Sequence, residues 1–437
     1  MPSPTTAALL ALLLAGCDTG KPAPDTGEPA MHGSILGDHD LAEAHVRFTR
    51  TDPGSRGWVA HAGDLDADGN DDLFVGAGDQ RYIVPGRAEG EVTLEVEAFA
   101  RLSGFHDTVG VGDVDGDGYD DLVARNPGAV IMRGPLSGEI AFDDAGFEPV
   151  LDIADVEAIR DVSGAGDVDG DDRQDLLVLA DGGEVGVAFL LLGPAFQAVG
   201  PADAALRITP ASGRGAPWYG TAAGDVDGDG TPDLLLAEIW GDWGGEDPIP
   251  SGRAWIVSGA ARGDLSLDDA DATFVTEDRL VALGYSIAGP GDVDADGYDD
   301  VLISASDACA YLYTGPLEGS VAFHEAAAHF GGEPAGADSE RCEVAVVGDV
   351  DDDGRDDVLV GHPETSNSNV QLFLGPVQGE RDLASADAAF LATSDGVDVG
   401  CSLAGPGDVD GDGHADLLLA ACDAGSLAGW LVLGAGW

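Results

Sequence analysis

Short apolar runs recur along the chain at wide, nearly regular intervals, among them DLFVGAG, DLLVLAD, DLLLAEI, DVLISAS, DVLVGHP and DLLLAAC. Each begins directly after an acidic loop, and a stretch of small residues leads into that loop. Four to six consecutive apolar positions, without alternation, predict a strand buried on both faces. After a short gap comes a second run: RYIVPG, AVIMRGP, VAFLLLGP, AWIVSGA, AYLYTGP, VQLFLGP and GWLVLGAG. Most of these close on Gly-Pro or Gly-Ala, which ends a strand in a turn. A more polar segment completes each unit, for example EVTLEVEAFA, GDLSLDDADATFV or ERDLASADAAFL, and predicts an outer strand facing solvent.

The acidic loops set the period. GDLDADGNDD, GDVDGDGYDD, GDVDGDDRQD, GDVDGDGTPD, GDVDADGYDD, GDVDDDGRDD and GDVDGDGHAD have their first Asp at 64, 113, 167, 225, 292, 349 and 408. The mean spacing of about 57 residues holds roughly four strands with their turns. Seven such units, with polarity rising from first strand to last, predict an all-β fold over residues 41–437, a seven-bladed β-propeller with calcium-binding loops. A ring must also close. The last unit stops at GWLVLGAGW without an outer strand, and Leu41–Thr49 (LAEAHVRFT) looks like the missing one. This segment is expected to pair into the seventh blade and hide two sheet edges. The competing architecture is an open solenoid or a string of independent calcium modules.

Within each loop, D-x-D-x-D-G-x-x-D folds side chains one, three, five and nine around one point, and the carbonyl of residue seven joins them. The candidate ligands are Asp64, Asp66, Asp68, Asn70 and Asp72 in the first loop, and Asp113, Asp115, Asp117, Tyr119 and Asp121 in the second. The third offers Asp167, Asp169, Asp171, Arg173 and Asp175, and the fourth Asp225, Asp227, Asp229, Thr231 and Asp233. The fifth offers Asp292, Asp294, Asp296, Tyr298 and Asp300, the sixth Asp349, Asp351, Asp353, Arg355 and Asp357, and the seventh Asp408, Asp410, Asp412, His414 and Asp416. Oxygen-only ligation in a flexible loop suits calcium better than magnesium or zinc, so up to seven Ca²⁺ are expected. An EF-hand is excluded because position twelve is apolar, as at Val75 and Ala124, where that motif needs Glu. Turn capping alone does not explain the acids. Converging carboxylates repel by about 1 kcal/mol per pair even at high dielectric, a cost that seven loops accumulate unless a cation offsets it. Gly at position six supplies a positive φ. The third loop has Asp172 there and is expected to be the weakest site.

Charge sharpens the picture. With 19 Lys and Arg against 82 Asp and Glu, the formal net charge is −63, which disfavours nucleic acid and anionic membrane surfaces as partners. At the start of the chain, MPSPTTAALLALLLAGC carries an apolar run too short to span a bilayer and reads as an export signal. Leu14-Ala15-Gly16-Cys17 resembles the bacterial lipoprotein box, although no Lys or Arg precedes the apolar run. The resemblance implies cleavage before Cys17, lipid on its thiol, and an exported, membrane-anchored protein that meets the membrane only through that anchor. Residues 18–40, rich in Pro, Gly and Asp, read as a flexible linker. Cys309, Cys342, Cys401 and Cys422 remain, an even number in an exported chain. The expected disulfides are Cys401 to Cys422 within one blade and Cys309 to Cys342 between neighbours, with four buried thiols as the alternative.

The units resemble FG-GAP repeats, the blades of the integrin alpha-chain propeller and of many secreted bacterial proteins. Leu283-Gly284-Tyr285-Ser286 leading to Gly291-Asp292, and Tyr219-Gly220 leading to Gly224-Asp225, stand where the family has Phe-Gly. Gly76-Ala77-Gly78 and Gly361-His362-Pro363 stand where it has Gly-Ala-Pro. The resemblance covers about residues 41–437. It implies calcium in the loop between a blade's first and second strands, with ligand recognition usually on the opposite face.

On that opposite face the fourth unit is richest in aromatics: Trp218 and Tyr219 in APWYG, and Trp240 and Trp243 in EIWGDWGGEDPIPSG. They are candidate contacts to a sugar or protein. The simpler reading is packing, with Tyr219 in the Phe-like position and the tryptophans covering the blade end. Catalytic signatures are weak. His324 and His329 in HEAAAH are one residue too far apart for a zinc-protease helix, and Gly400-Cys401-Ser402-Leu403-Ala404 lacks the last Gly of a nucleophile elbow. The expectation is a monomeric, calcium-stabilised, lipid-anchored adhesion or scaffold module for an extracellular protein or glycan, without catalytic residues. The alternative is a carbohydrate-active lyase or hydrolase on a calcium-binding propeller.

Overall fold

Alternate residues of each central strand pack against opposite neighbours, which is why the apolar runs lack alternation. In Asp72–Ala77, Leu73 and Val75 join a cluster shared with the seventh unit, while Phe74 joins one shared with the second. The buried apolar side chains fall into seven such clusters, each held between two adjacent sheets. Burying a Val, Leu or Phe contributes about 1.5–3 kcal/mol, so the layers between blades are the core of the molecule.

The computed structural model describes residues 35–434 other than 52–56, 78–79, 106, 127, 142–147, 150–157, 182–186, 194–202, 212–215, 239–251, 276–282, 307, 332–341, 363–368, 393–396 and 423–424. The export signal, Cys17 and most of the 18–40 linker lie outside the described residues. Those residues form seven sheets. The first is typical, with Gly57–Gly63, Asp72–Ala77, Gln80–Val84 and Ala100–Ser103 running antiparallel in that order from the axis outward. Successive innermost strands touch one another around a ring, and that of the last sheet, Val399–Ala404, touches that of the first. The fold is therefore an all-β, seven-bladed propeller.

The ring closes as expected. Val46–Thr49 forms the outer strand of the seventh blade, antiparallel to Leu427–Val432 with Val46 opposite Leu431, and Phe48 is fully buried.

A fifth strand on most blades was not expected. Between its third and fourth strands the chain runs parallel to the outer strand of the preceding blade. Gly90–Thr93 lies beside Val46–Thr49, Gly138–Ala141 beside Ala100–Ser103, and Gly263–Ser266 beside Leu206–Thr209. Gly319–Ala322 and Gly379–Arg381 repeat the arrangement further round. Gly37–Asp40 does the same against Ala388–Leu391, which corrects the linker boundary: residues 37–40 are sheet, because the N-terminal segment is a complete copy of this connection.

Cys309 and Cys342 form a disulfide between the fifth and sixth blades, with Cα atoms 5.2 Å apart. The other expected bridge is absent, and Cys401 and Cys422 remain buried thiols. Val399 pairs with Ala421 and Leu403 with Leu419, so residues 400–402 bulge against a single partner residue. The bulge turns the Cys401 Sγ towards the carbonyls of Ala420 (3.9 Å) and of Gly57 in the neighbouring blade (4.0 Å). His329 lies on the outer strand Ala328–Phe330, not on a helix, with Nε2 3.4 Å from Glu380.

Candidate metal centres

Each acidic loop joins the first and second strands of its blade and winds around its own first aspartate. In the second loop the Asp113 carboxylate accepts from the N–H groups of Gly116 (2.7 Å), Asp117 (3.2 Å) and Gly118 (2.8 Å). Asp117 Oδ1 then accepts from the N–H of Tyr119 at 3.0 Å. These bonds need a left-handed backbone at position six, where Gly118 has φ 91° and Asp172 takes the same region at 66°. Position four is left-handed too, including Ala67 (56°), Ala295 (59°) and Asp352 (61°).

The ninth position is the buried one. Asp72, Asp121, Asp175, Asp233, Asp300, Asp357 and Asp416 are at most 1% exposed. Asp121 shows the common pattern: Oδ2 accepts from the N–H of Val114 (3.1 Å), and Oδ1 from the N–H of Gly134 (2.9 Å), in the turn after the third strand. The ninth carboxylate thus pins the loop to the rest of its blade. Burial, reinforced by neighbouring carboxylates, pushes it up to about 6 at Asp121 and Asp175, to about 7 at Asp233, Asp300, Asp357 and Asp416, and to about 8 at Asp72. At position three, burial raises Asp227, Asp294, Asp351 and Asp410 as well.

The spacing brings together part of the expected donor set. One carboxylate oxygen from each of positions one, three and nine lies within 4.8 Å of the others in the first three loops, and positions one, three and five meet in this way in the fourth. Such an all-oxygen donor set fits a hard divalent cation. In the fifth loop, Asp294 Oδ1 is buried without a hydrogen-bond partner among the described residues, leaving an acceptor for one. Local arginines neutralise part of three loops: Arg133 beside Asp115 (3.2 Å), Arg173 beside Asp171 (3.1 Å) and Arg355 beside Asp353 (2.9 Å).

Sequence reasoning gave no role to position eight, which links neighbouring loops. Asp120 Oδ2 accepts the N–H of Asp64 at 2.7 Å, while the N–H of Asp120 donates to the carbonyl of Asp64 at 3.1 Å. Asp299 holds Asp225 in the same way, and Asp356 holds Asp292. The glycine before each first aspartate makes room, since a Cβ at Gly63 or Gly224 would strike Asp120 or Asp299.

On the face away from these loops, where the innermost strands begin, Trp218 and Tyr219 are 40% and 37% exposed. They border a cleft of about 520 Å³ with Trp58, Arg125 and Arg160, so Tyr219 does not fill a core position. Trp240 and Trp243 lie outside the described residues.

Family models for the FG-GAP repeat and the FG-GAP-like repeat match residues 107–139 and 167–236. Integrin alpha pat-2 of Caenorhabditis elegans is 28% identical over 235 residues, covering 48% of this chain. The match spans 18% of that integrin's length. Among solved structures, two crystal structures of BBS1N in complex with ARL6DN, soaked with mercury and with lead, are similar at 11% and 12% identity. Both have a TM-score of 0.48 and cover 92% of this chain and 97% of the other. The chain is thus a seven-bladed β-propeller that carries FG-GAP and FG-GAP-like repeats at residues 107–139 and 167–236 and is similar over 235 residues to an integrin alpha chain.

Proposed function

We propose that the acidic loops hold calcium and that the propeller is a non-enzymatic binding or scaffold module, exported and anchored through lipid on Cys17. The observation that carries the metal reading is a recurring cluster: carboxylates from positions one and three, joined by position nine in the first three loops and by position five in the fourth, converge within 4.8 Å. The acids at positions one, three, five and nine, with the carbonyl at seven, would hold the ion, which would offset part of each loop's negative charge and tie it to its blade. FG-GAP repeats and the integrin relative support an extracellular or surface location, and no helix among the described residues is long and apolar enough to cross a membrane. The aromatic cleft on the opposite face supports binding over catalysis. Its one acid, Asp161, is occupied by the N–H groups of Val162 (3.1 Å) and Gly220 (3.3 Å).

Elemental analysis of the purified protein should find several calcium ions per chain, and chelator should lower the melting temperature by 10 °C or more, on the order expected for losing several native-state ligands. Metal-free protein with an unmoved melting curve would end the calcium reading.

A further inference from the structure

The cleft at the start of the innermost strands has a composition unlike the rest of this chain. Its volume of about 520 Å³ falls within the roughly 300–1,000 Å³ of small-ligand sites. In a molecule of net charge −63 it gathers two arginines and three large aromatics around a single aspartate. The guanidinium of Arg160 lies 4.2 Å from the ring centre of Trp218, within the range of a cation–π contact. Arg125 is held by a bond from Nη1 to the carbonyl of Ile159 at 3.3 Å. In the same lining, two hydroxyls are buried without a hydrogen-bond partner among the described residues, Thr108 Oγ1 and Ser163 Oγ, and Thr108 is only 1% exposed. Both residues line the cleft. Unpaired buried hydroxyls are uncommon, and a ligand hydroxyl reaching them restores the missing bond.

We infer that this cleft binds a carboxylated oligosaccharide, a glycan bearing uronate or a similar sugar acid. Its carboxylate meets the arginine forks, a ring face stacks on Trp218 or Tyr219, and ring hydroxyls reach Thr108 and Ser163. An acidic peptide supplies the charge but not closely spaced hydroxyls. The net negative charge opposes an anion at long range, yet screening within about 8 Å at physiological ionic strength leaves the decision to contacts inside the cleft. The inference rests on reading the chain as a binding module and gives that module a ligand class.

The test is calorimetric titration of the full chain, in calcium, with trigalacturonate, triglucuronate and sialyllactose, each beside its methyl ester. At least one acid should bind about tenfold or more tightly than its ester, because only the acid pairs with arginine. Trp218→Ala and Arg160→Gln should each weaken that binding about tenfold. Thr108→Val removes an unpaired hydroxyl, so it should leave the melting temperature unchanged or higher while weakening binding several-fold. Equal affinity for acid and ester, unchanged binding by the variants, or no binding of any acid below about 1 mM would overturn the assignment. A protein or neutral glycan captured equally well by Trp218→Ala would preserve the binding module and sink only this cleft.

Discussion

Ala295 sits at position four of the fifth loop with φ 59°, in a region that costs an L-residue about 1 kcal/mol or more and a glycine nothing. Ala295→Gly should therefore raise stability in urea by about 0.5–1 kcal/mol, the strain relief being partly offset by a more flexible unfolded chain. Asp172→Gly should do likewise and bring calcium affinity of the third loop up to that of its neighbours; a loss of stability in both variants would show that the strain is not real. The buried ninth aspartates give a pH dependence of definite sign. Burial raises them from 3.8 to about 6–8, so without metal the folded chain binds protons more tightly than the unfolded chain across that window. Stability of chelator-treated protein should then fall as pH rises from about 4 to 8. With calcium present the order reverses, because protons compete with the ion for the same oxygens. Melting curves at pH 5 and pH 8, with and without chelator, read both slopes.

At the scale of the element, the loops act as a linked belt. The Asp299 carboxylate accepts the N–H of Asp225 from the preceding blade at 2.7 Å, and charge-assisted bonds of this kind contribute about 1.5–3 kcal/mol before solvent screening. Asp299→Ala should cost about 1–2 kcal/mol. Asp299→Asn should cost less than half as much, since an amide oxygen still accepts; equal losses would point to packing against Gly224 instead. The convergence of positions one and three with nine, or with five in the fourth loop, was legible because their spacing is local and the side chains meet within one loop. Position eight was not, because its partner lies 56 to 74 residues away and nothing in DGNDD or DGYDD distinguishes an outward carboxylate from a ligand. The parallel fifth strands were hidden for a related reason. GDHD, GEVT and GDLS are too short and polar for a hydrophobic pattern, and their pairing partner belongs to another blade. Their one local signal is an opening glycine with positive φ, as at Gly90 (70°). The bulge at residues 400–402 left no sequence trace, which is why the Cys401–Cys422 pairing failed while the bridge between regular strand ends, Cys309–Cys342, was found.

For the whole molecule, stability depends on a ring in which every blade supplies half of two hydrophobic layers. The N-terminal segment bears on two blades at once: Gly37–Asp40 extends the sixth sheet, and Val46–Thr49 completes the seventh. Leu41, Val46 and Phe48 are at most 1% exposed, so removing residues 37–49 deletes three core side chains, whose burial contributes roughly 5–9 kcal/mol together, and opens two sheet edges. That is comparable to the entire net stability of most domains. The truncated chain should be insoluble, or should lack a cooperative melting transition even in calcium. Phe48→Ala gives a graded version, expected to fold but to lose about 3–5 kcal/mol in denaturant. If Phe48→Ala melts like the parent chain, the seventh blade does not depend on its borrowed strand, and the layers on either side of it must be held by the metal loops and the remaining strands alone.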